Sequence, residues 1–321
     1  MKDVSIISIL PILLGGLLVF LYAIRRLSFT MQDIFSKTVK RNIERYTTNI
    51  YLSILLGIIT TILLDSSSAV IIIAIIFINA GNLNFKQAMG IIMGANIGTT
   101  FSSQLIAFNI SKYAIIPLMI GFFIWLFSNG TKLKKAGEVI MYFGFLFFGL
   151  YLLEYSVLPL KETERFTNWL IEMSNPLKGA ATGGLVTFII QSSSATVAIL
   201  ITLAKKELIT LPAALAAMLG AELGTCSDTL FAVIGGKRDA IRAGVFHLLF
   251  NLIPIILGLL LFDHFVNLID WLSPSVAVSK KIANGHVAFS VISVLLFLPF
   301  TNAIFRFLNY IIPDRYLLQS H

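Results

Sequence analysis

The sequence predicts an all-α integral membrane protein built from two inverted-topology repeats. Three observations predict this class: the hydropathy of the chain, an internal duplication, and two long apolar segments with polar centres. Of the 321 residues, 57% are hydrophobic and only 12% are charged, and the mean hydropathy is +0.89. Soluble domains carry about 25% charged residues, so the lipid bilayer is predicted to be the main solvent of this chain.

Two short motifs each occur twice at one constant spacing. Residues 65–69 read Asp-Ser-Ser-Ser-Ala, and residues 191–195 read Gln-Ser-Ser-Ser-Ala. Residues 94–100 read Gly-Ala-Asn-Ile-Gly-Thr-Thr, and residues 220–226 read Gly-Ala-Glu-Leu-Gly-Thr-Cys. Both offsets are 126 residues (191 − 65 and 220 − 94), which indicates an internal duplication.

Apolar segments long enough, or nearly long enough, to cross a bilayer occur in both repeats. We place repeat 1 at residues 1–130, and repeat 2, followed by a C-terminal transmembrane helix, at residues 131–321. The predicted crossings lie at about residues 5–24, 87–108, 113–128, 136–153, 211–234, 243–262 and 285–305.

Residues 50–80 and 178–204 differ from these crossings because each has a serine cluster at its centre. Each is too long for one straight crossing at 1.5 Å per residue, and its centre is too polar to face lipid. A re-entrant helical hairpin with its tip near the midplane fits both segments. Three crossings then precede the helix at 136–153, and this odd number inverts repeat 2. The glycine-rich motif after each hairpin further predicts a broken transmembrane helix in each repeat.

The distribution of basic residues indicates the orientation in the plasma membrane. An outside N-terminus and a cytoplasmic C-terminus place 15 of the 24 Lys and Arg residues inside, as the positive-inside rule requires. This bias and anionic lipid explain the net charge of +8, so no nucleic-acid partner is predicted.

Residues 28–48 and 161–175 mix charged with spaced apolar side chains, and we expect them to lie along the membrane surface. Cys226 is the single cysteine, which excludes a disulfide framework.

The serine clusters are candidate binding elements. Consecutive helical positions point about 100° apart, so three serines in a row cannot all pack on one neighbouring helix. The clusters also have N-capping chemistry, which predicts helix starts at Ser66 and Ser192 with free N–H groups aimed at a common point. Such a point suits an anion. Polar breaks at corresponding places of two halves are typical of a transporter's binding site.

The glycine-rich motifs add candidate cation ligands. An unwound helix frees backbone carbonyls, and Asn96, Thr99 and Thr100 in repeat 1 add side-chain oxygens, as do Glu222 and Thr225 in repeat 2. The alternative for such a Gly-x-x-x-Gly pattern is close helix packing.

The paired motifs resemble those of the type II sodium-phosphate cotransporter family and its bacterial relatives. The resemblance extends from about Leu10 to Pro313 and includes residues 246–251, Phe-His-Leu-Leu-Phe-Asn. It implies Na⁺-coupled movement of inorganic phosphate, or of another small anion, by alternating access at a midplane site. It implies no cofactor beyond the coupling ion, for which H⁺ is the alternative to Na⁺. A homodimer is left open.

The resemblance also implies residue roles. The substrate-binding residues share hydroxyl or amide groups at the tips and breaks: Ser66, Ser67, Ser68, Gln191, Ser192, Ser193, Ser194, Thr99 and Thr225. Asn96 and Thr100 are expected to bind the cation, and to these the sequence itself adds the acids Asp65, Glu222 and Asp228, for the last of which capping of polar backbone is the alternative. Na⁺ itself is expected at Asp65, Ser66, Asn96, Gln191, Ser192 and Glu222.

Two acidic residues depart from the family pattern. Asp65 stands where the family has Gln, and Glu222 stands where it has Asn. Acids inside a membrane are expensive and usually functional, so both are predicted to couple transport to a cation. Two carboxylates beside a phosphate dianion would place several negative charges close together, and bound Na⁺ or protons would have to neutralise them. A different solute is therefore an alternative to phosphate.

Two other function classes fit the sequence less well. An intramembrane serine hydrolase would pair a serine with His247, but the chain has no Gly-x-Ser-x-Gly elbow. A passive channel would need a continuous lined pore. We therefore predict a transporter and no enzyme. The remaining histidines, His264, His286 and His321, are placed in or near loops.

Overall fold

The computed structural model describes residues 6–47, 49–108 and 110–314, and these form helices and turns with no strand among them. The predicted all-α class is confirmed. The predictions for the chain termini concern residues 1–5 and 315–321, which lie outside the described residues, as does His321. The helices in chain order are α1 (Ile6–Tyr46), α2 (Ile50–Leu64), α3 (Ser67–Ala80), α4 (Phe85–Ala107), α5 (Ile115–Phe127), α6 (Thr131–Val157), α7 (Glu164–Glu172), α8 (Pro176–Ile190), α9 (Ser193–Lys205), α10 (Leu211–Gly224), α11 (Cys226–Ala232), α12 (Arg238–Leu260), α13 (Phe262–Leu272), α14 (Val278–Phe297) and α15 (Thr301–Ile311).

Among the described residues, four segments are long and apolar enough to cross a membrane, and a fifth candidate is the bent pair of α4 and α5. The axes of that pair differ by 75°. The chain is therefore a multi-pass membrane protein. The predicted crossing at 211–234 is not among these segments because it divides into α10 and α11. The four segments are Leu10–Phe35, Thr131–Leu160, Arg238–Leu260 and Val278–Ile311.

Helix α1 is 41 residues long, and its candidate span reaches Phe35. This candidate span overlaps the predicted surface segment 28–48 at residues 28–35, and the surface location stays a prediction. The later surface prediction, 161–175, contains the short separate helix α7 and stays a prediction.

Helices α1 and α6, the first helices of the two repeats, pack antiparallel. A Cβ atom at Gly16 would lie 2.8 Å from Cβ of Leu152, and one at Gly149 would lie 2.6 Å from the nitrogen of Phe20. Further along, Nε of Arg26 donates to the Tyr142 hydroxyl at 3.2 Å. The contacts run from residue 16 to residue 26 along α1 and from residue 152 to residue 142 along α6, so the two helices are antiparallel.

Each serine cluster forms the turn between two short helices. Asp65 ends α2 in the left-handed conformation (φ 51°), and Ser66 then begins α3 as its N-cap. Gln191 (φ 58°) and Ser192 occupy the same two places between α8 and α9. The longest of these four helices has 15 residues, which is about 22 Å and shorter than the roughly 30 Å hydrocarbon core. This length suits a re-entrant hairpin, whose place in the bilayer stays a prediction.

Glycines allow each hairpin to pack closely on the helix that follows it. A Cβ atom at Gly94 on α4 would lie 2.0 Å from the carbonyl oxygen of Ile54 on α2. A Cβ atom at Gly220 on α10 would lie 1.8 Å from the carbonyl oxygen of Ala180 on α8. These contacts are equivalent under the 126-residue offset, so the duplication is visible in the packing as well as in the sequence.

The glycine-rich motif coincides with a helix boundary in repeat 2 and does not in repeat 1. Helix α10 ends at Gly224 and α11 begins at Cys226, whereas α4 runs without interruption through residues 94–100. The predicted break at residues 94–100 is therefore wrong, and the bend in repeat 1 lies further along the chain, between α4 and α5. Its glycines serve the close contact with α2, which was the alternative for this motif.

Candidate binding site at the hairpin tips

The two hairpin tips share one capping geometry. Oγ of Ser66 accepts a hydrogen bond from the backbone nitrogen of Ala69 at 3.2 Å. Oγ of Ser192 accepts the equivalent bond from Ala195, also at 3.2 Å. The N–H groups of the first two helical residues have no partner within the helix, as at every helix start. Helices α3 and α9 therefore begin at the tips with serine hydroxyls beside uncapped N–H groups.

The tip of the first hairpin contacts both repeats. Oγ of Ser68 donates to Oδ2 of Asp228 on α11 at 3.0 Å. On the other side of the tip, Oγ of Ser102 on α4 donates to Oδ1 of Asp65. Ser102 and Asp228 correspond to each other under the 126-residue offset. Both carboxylates thus flank the start of α3 and are held by serine hydroxyls.

A cavity of about 180 Å³ brings the two hairpins together. Its polar lining comes from Asp65, Ser102 and Ser194, and the rest is apolar and belongs mainly to α1, α4 and α6. Pockets for drug-sized molecules are larger, roughly 300–1,000 Å³, so this one suits a small solute or ion. The cavity therefore brings together Asp65 and Ser194 of the predicted site and adds Ser102, while Ser68 and Asp228 meet in a separate contact outside its lining.

The site is rich in negative charge. Oδ1 of Asp228 is buried and has no hydrogen-bond partner. In the described part of the chain, neither Asp65 nor Asp228 forms an ion pair with a basic side chain. An uncompensated buried carboxylate is strongly unfavourable, so this donor set fits a cation or a proton.

Four other predicted site residues bond to their own helices. The Asn96 amide and the hydroxyls of Thr99 and Thr100 donate to backbone carbonyls of α4 at 3.1, 3.0 and 2.8 Å. The hydroxyl of Thr225 donates to the carbonyl of Glu222 at 2.9 Å. All four side chains are buried, and their substrate and cation roles stay predictions.

Glu222 is bound to a histidine that sequence reasoning misplaced. Nε2 of His286 lies 3.1 Å from Oε1 of Glu222, and its Nδ1 lies 2.8 Å from Oγ of Ser103. The prediction that His286 lies in or near a loop is wrong, because it lies inside α14 with no exposed surface. A signal was present: His286, Ser290 and Ser293 follow helical spacing in an apolar helix and form one polar stripe.

The other described histidines have simpler environments. His247 is buried in α12, and its Nδ1 lies 2.9 Å from Oγ1 of Thr229, which satisfies it as a packing residue. His264 is exposed near the start of α13, just after the turn at Leu261, which agrees with its predicted position in or near a loop.

The family follows from comparison of the whole chain with known proteins. The model of the Na+/Pi-cotransporter family matches residues 19–155 and 160–273. The chain belongs to the Na+/Pi-cotransporter family. The resemblance inferred from the paired serine motifs is thereby confirmed, and a transporter family argues against the hydrolase alternative.

Relatives in this family cover much of the chain. An "Uncharacterized protein YqeW" from Bacillus subtilis is 32% identical over 262 residues, which is 81% of this chain and 84% of the relative. A "Putative inorganic phosphate export protein YjbB" from Salmonella typhimurium is 26% identical over 83% of this chain, but this covers only 49% of its own length. Human "Sodium-dependent phosphate transport protein 2B" is 29% identical over 53% of this chain and 26% of its own length. No solved structure matches the chain.

Proposed function

We propose that this protein is a sodium-coupled inorganic phosphate transporter that works by alternating access at the hairpin tips. Family membership and the phosphate transport named for two relatives support phosphate as the solute. The observation that carries the proposal is the cavity in which Asp65 of one tip and Ser194 of the other meet. A solute that contacts both tips lies between the two repeats. Movement of one repeat against the other would then expose this site to one side of the membrane or to the other.

Phosphate binding is assigned to the tips because they offer donors without basic side chains. The N–H groups at the starts of α3 and α9 and the hydroxyls of the two serine clusters can donate to phosphate oxygens. Gln191, Thr99 and Thr225 remain in the proposed substrate set on the strength of the family pattern. Another small anion is the alternative solute.

Na⁺ coupling is assigned to the carboxylates that flank the first tip. A sodium ion beside Asp65 and Asp228 would offset their charge and lower the repulsion toward phosphate. Ser66, Gln191, Ser192 and Asn96 complete the proposed ligand set, and Thr100 remains in the proposed cation set. Protons on the carboxylates are the alternative means of coupling.

An inverted relation between the repeats is supported by the antiparallel packing of α1 and α6. We expect cysteines at Leu10 and Lys132, which begin the first helices of the two repeats, to react with impermeant maleimide from opposite faces. Cys226 is buried, so the native cysteine should contribute little background to the maleimide reaction. Reaction from the same face would exclude the inverted arrangement. The face on which Leu10 reacts also tests the proposed outside N-terminus.

Phosphate uptake into proteoliposomes tests the function directly. Labelled phosphate should accumulate above empty liposomes when an inward Na⁺ gradient is imposed at equal pH, and unlabelled phosphate should compete. A pH gradient at equal Na⁺ gives the separate contribution of protons. Uptake no greater than that of empty liposomes under both gradients would contradict the proposal, and uptake driven by the pH gradient alone would select the proton alternative.

A further inference from the structure

Two lysines share a single buried carboxylate at the end of the second hairpin. Nζ of Lys205 lies 3.4 Å from Oε1 of Glu154, and Nζ of Lys206 lies 3.4 Å from Oε2 of the same residue. Only 9% of the Lys205 side chain and 9% of the Glu154 side chain are exposed. Among the described residues, no other carboxylate forms an ion pair with either lysine. These three side chains together therefore carry one positive charge in excess.

A third lysine reaches the same place from the start of α14. Nζ of Lys280 donates to the Gln104 amide oxygen and lies 4.6 Å from the centre of the Phe108 ring. Nζ of Lys205 donates to the carbonyl oxygen of Phe108 at 3.2 Å, so two ammonium groups contact this one residue. Lys280 has no acidic partner in the described part of the chain. The lysine cluster is defined as Lys205, Lys206, Lys280 and Glu154.

Neighbouring charges leave this positive excess in place. Lys281, the next residue on α14, is paired with Asp270 at 2.6 Å and is thereby neutralised. Glu207 follows Lys206 but is exposed, so water and salt screen its charge. A buried positive charge without an equal counter-charge is unfavourable. The lysine cluster therefore fits a bound anion.

The lysine cluster lies a short distance along two helices from the cavity at the hairpin tips. Ser102 and Ile106 of α4 line that cavity, and Phe108 follows Ser102 by about 9 Å at 1.5 Å per residue. Ser194 of α9 lines the same cavity, and Lys205 follows it by about 16 Å along the helix axis. An anion held by the lysines would therefore be near the tips without contacting them.

We propose that the lysine cluster is a second oxyanion site, which captures inorganic phosphate before it moves to the hairpin tips. The ammonium groups of Lys206 and Lys280 are partly exposed and can contact phosphate oxygens, while the more buried Lys205 adds charge behind them. The tips have the opposite character, because their carboxylates repel an approaching anion. Positive charge near the tips raises the local concentration of phosphate and hence its rate of arrival. This role in uptake rests on the proposed transport function.

The alternative is that the lysines only stabilise helix ends. Helices α4, α6 and α9 end at Ala107, Val157 and Lys205, close to the cluster, and lysines are favourable at the negative end of a helix dipole. Glu154 and its lysines would then be a structural ion-pair network. In that case, loss of either sign of charge weakens the protein. An anion site instead requires that loss of the two signs have opposite effects on phosphate.

Chemical labelling of lysines tests the site without transport. Purified protein in detergent is acetylated in inorganic phosphate or in chloride at equal pH, Na⁺ and ionic strength, and mass spectrometry measures acetylation at each residue. We expect phosphate to suppress acetylation of Lys206 and Lys280. Lys178 and Lys281 are the controls and should not change, because each pairs with its own acid. Equal acetylation of Lys206 and Lys280 in phosphate and chloride would overturn the oxyanion site, even if phosphate is transported.

Opposite changes of charge should move phosphate uptake in opposite directions. At low ionic strength and fixed Na⁺, Lys206→Gln should lower kcat/KM for phosphate by about tenfold, the lower end of the effect of a charged cleft. Glu154→Gln can still accept the hydrogen bond from Ser111 and should raise kcat/KM. Lys206→Arg keeps the charge and should retain the wild-type value, and Lys281→Gln is the matched control. Added choline chloride should reduce the difference between the wild type and Lys206→Gln.

The outcomes separate the oxyanion site from its alternatives. A lower kcat/KM in both Lys206→Gln and Glu154→Gln would assign the cluster to helix stability and overturn the proposal. An effect of Lys206→Gln in liposomes with phosphatidylglycerol, but none in phosphatidylcholine alone, would assign the lysines to a lipid headgroup and also overturn it. Suppressed acetylation in a protein that takes up no phosphate would support the oxyanion site and contradict only the proposed transport function.

Discussion

Asparagine at both Asp65 and Asp228 is expected to remove the Na⁺ dependence of phosphate uptake while the protein still folds. Asparagine tolerates the left-handed conformation that Asp65 adopts, and its amide oxygen can accept the hydrogen bonds from Ser102 and Ser68. The two substitutions remove only the negative charges of the carboxylates beside the proposed Na⁺ site. Charge contacts in desolvated sites are worth about 2–5 kcal/mol, so the apparent Na⁺ affinity should fall at least about tenfold.

Phosphate uptake measured against Na⁺ concentration gives this result for the single and double variants. Asp263→Asn is the matched control, because Asp263 is exposed at the start of α13 and does not contact the tips. Size-exclusion profiles in detergent establish that each variant is folded. Wild-type Na⁺ dependence in a folded double variant would contradict the role of these carboxylates in coupling.

Alanine at Ser66 and Ser192 together is expected to reduce phosphate uptake by more than about tenfold. Each change removes an N-cap bond, which costs about 1 kcal/mol of stability, and a hydroxyl at the proposed solute site. Both tips contribute to one site, so removal of two ligands should reduce binding by more than 1.4 kcal/mol, the equivalent of tenfold. Initial uptake rates over a phosphate concentration series measure this loss.

The N-cap of α8 offers a control for stability alone. Asn175 accepts bonds from the nitrogens of Leu177 and Lys178 at the base of the second hairpin, so Asn175→Ala removes a cap without altering a tip. Ser192→Gly keeps a tolerated N-cap residue but removes the hydroxyl. Loss of uptake in Ser192→Gly with retention in Asn175→Ala assigns a binding role to the hydroxyl. Equal uptake in both would show that the serines only cap their helices.

The sequence predicted the hairpin tips because their structure is local. A serine that caps the next helix is specified within about five positions, and the 126-residue offset repeats that specification. Even the caps at the hairpin bases, Asn49 and Asn175, obey the offset. The same reasoning failed for residues 94–100, because glycine permits both a broken helix and close packing. The approach of α2 decided between them.

The contacts that assemble the site were decided by tertiary structure. Ser68 meets Asp228 across 160 positions of the chain, and His286 meets Glu222 across 64. No local pattern specifies such pairs, because many arrangements of helices satisfy the same hydropathy and caps. Hydropathy, duplication and capping thus determined the class of protein and the position of its tips. Helix packing alone decided which carboxylate meets a serine and which meets a histidine, since a buried acid takes whichever polar partner packing brings within hydrogen-bond distance.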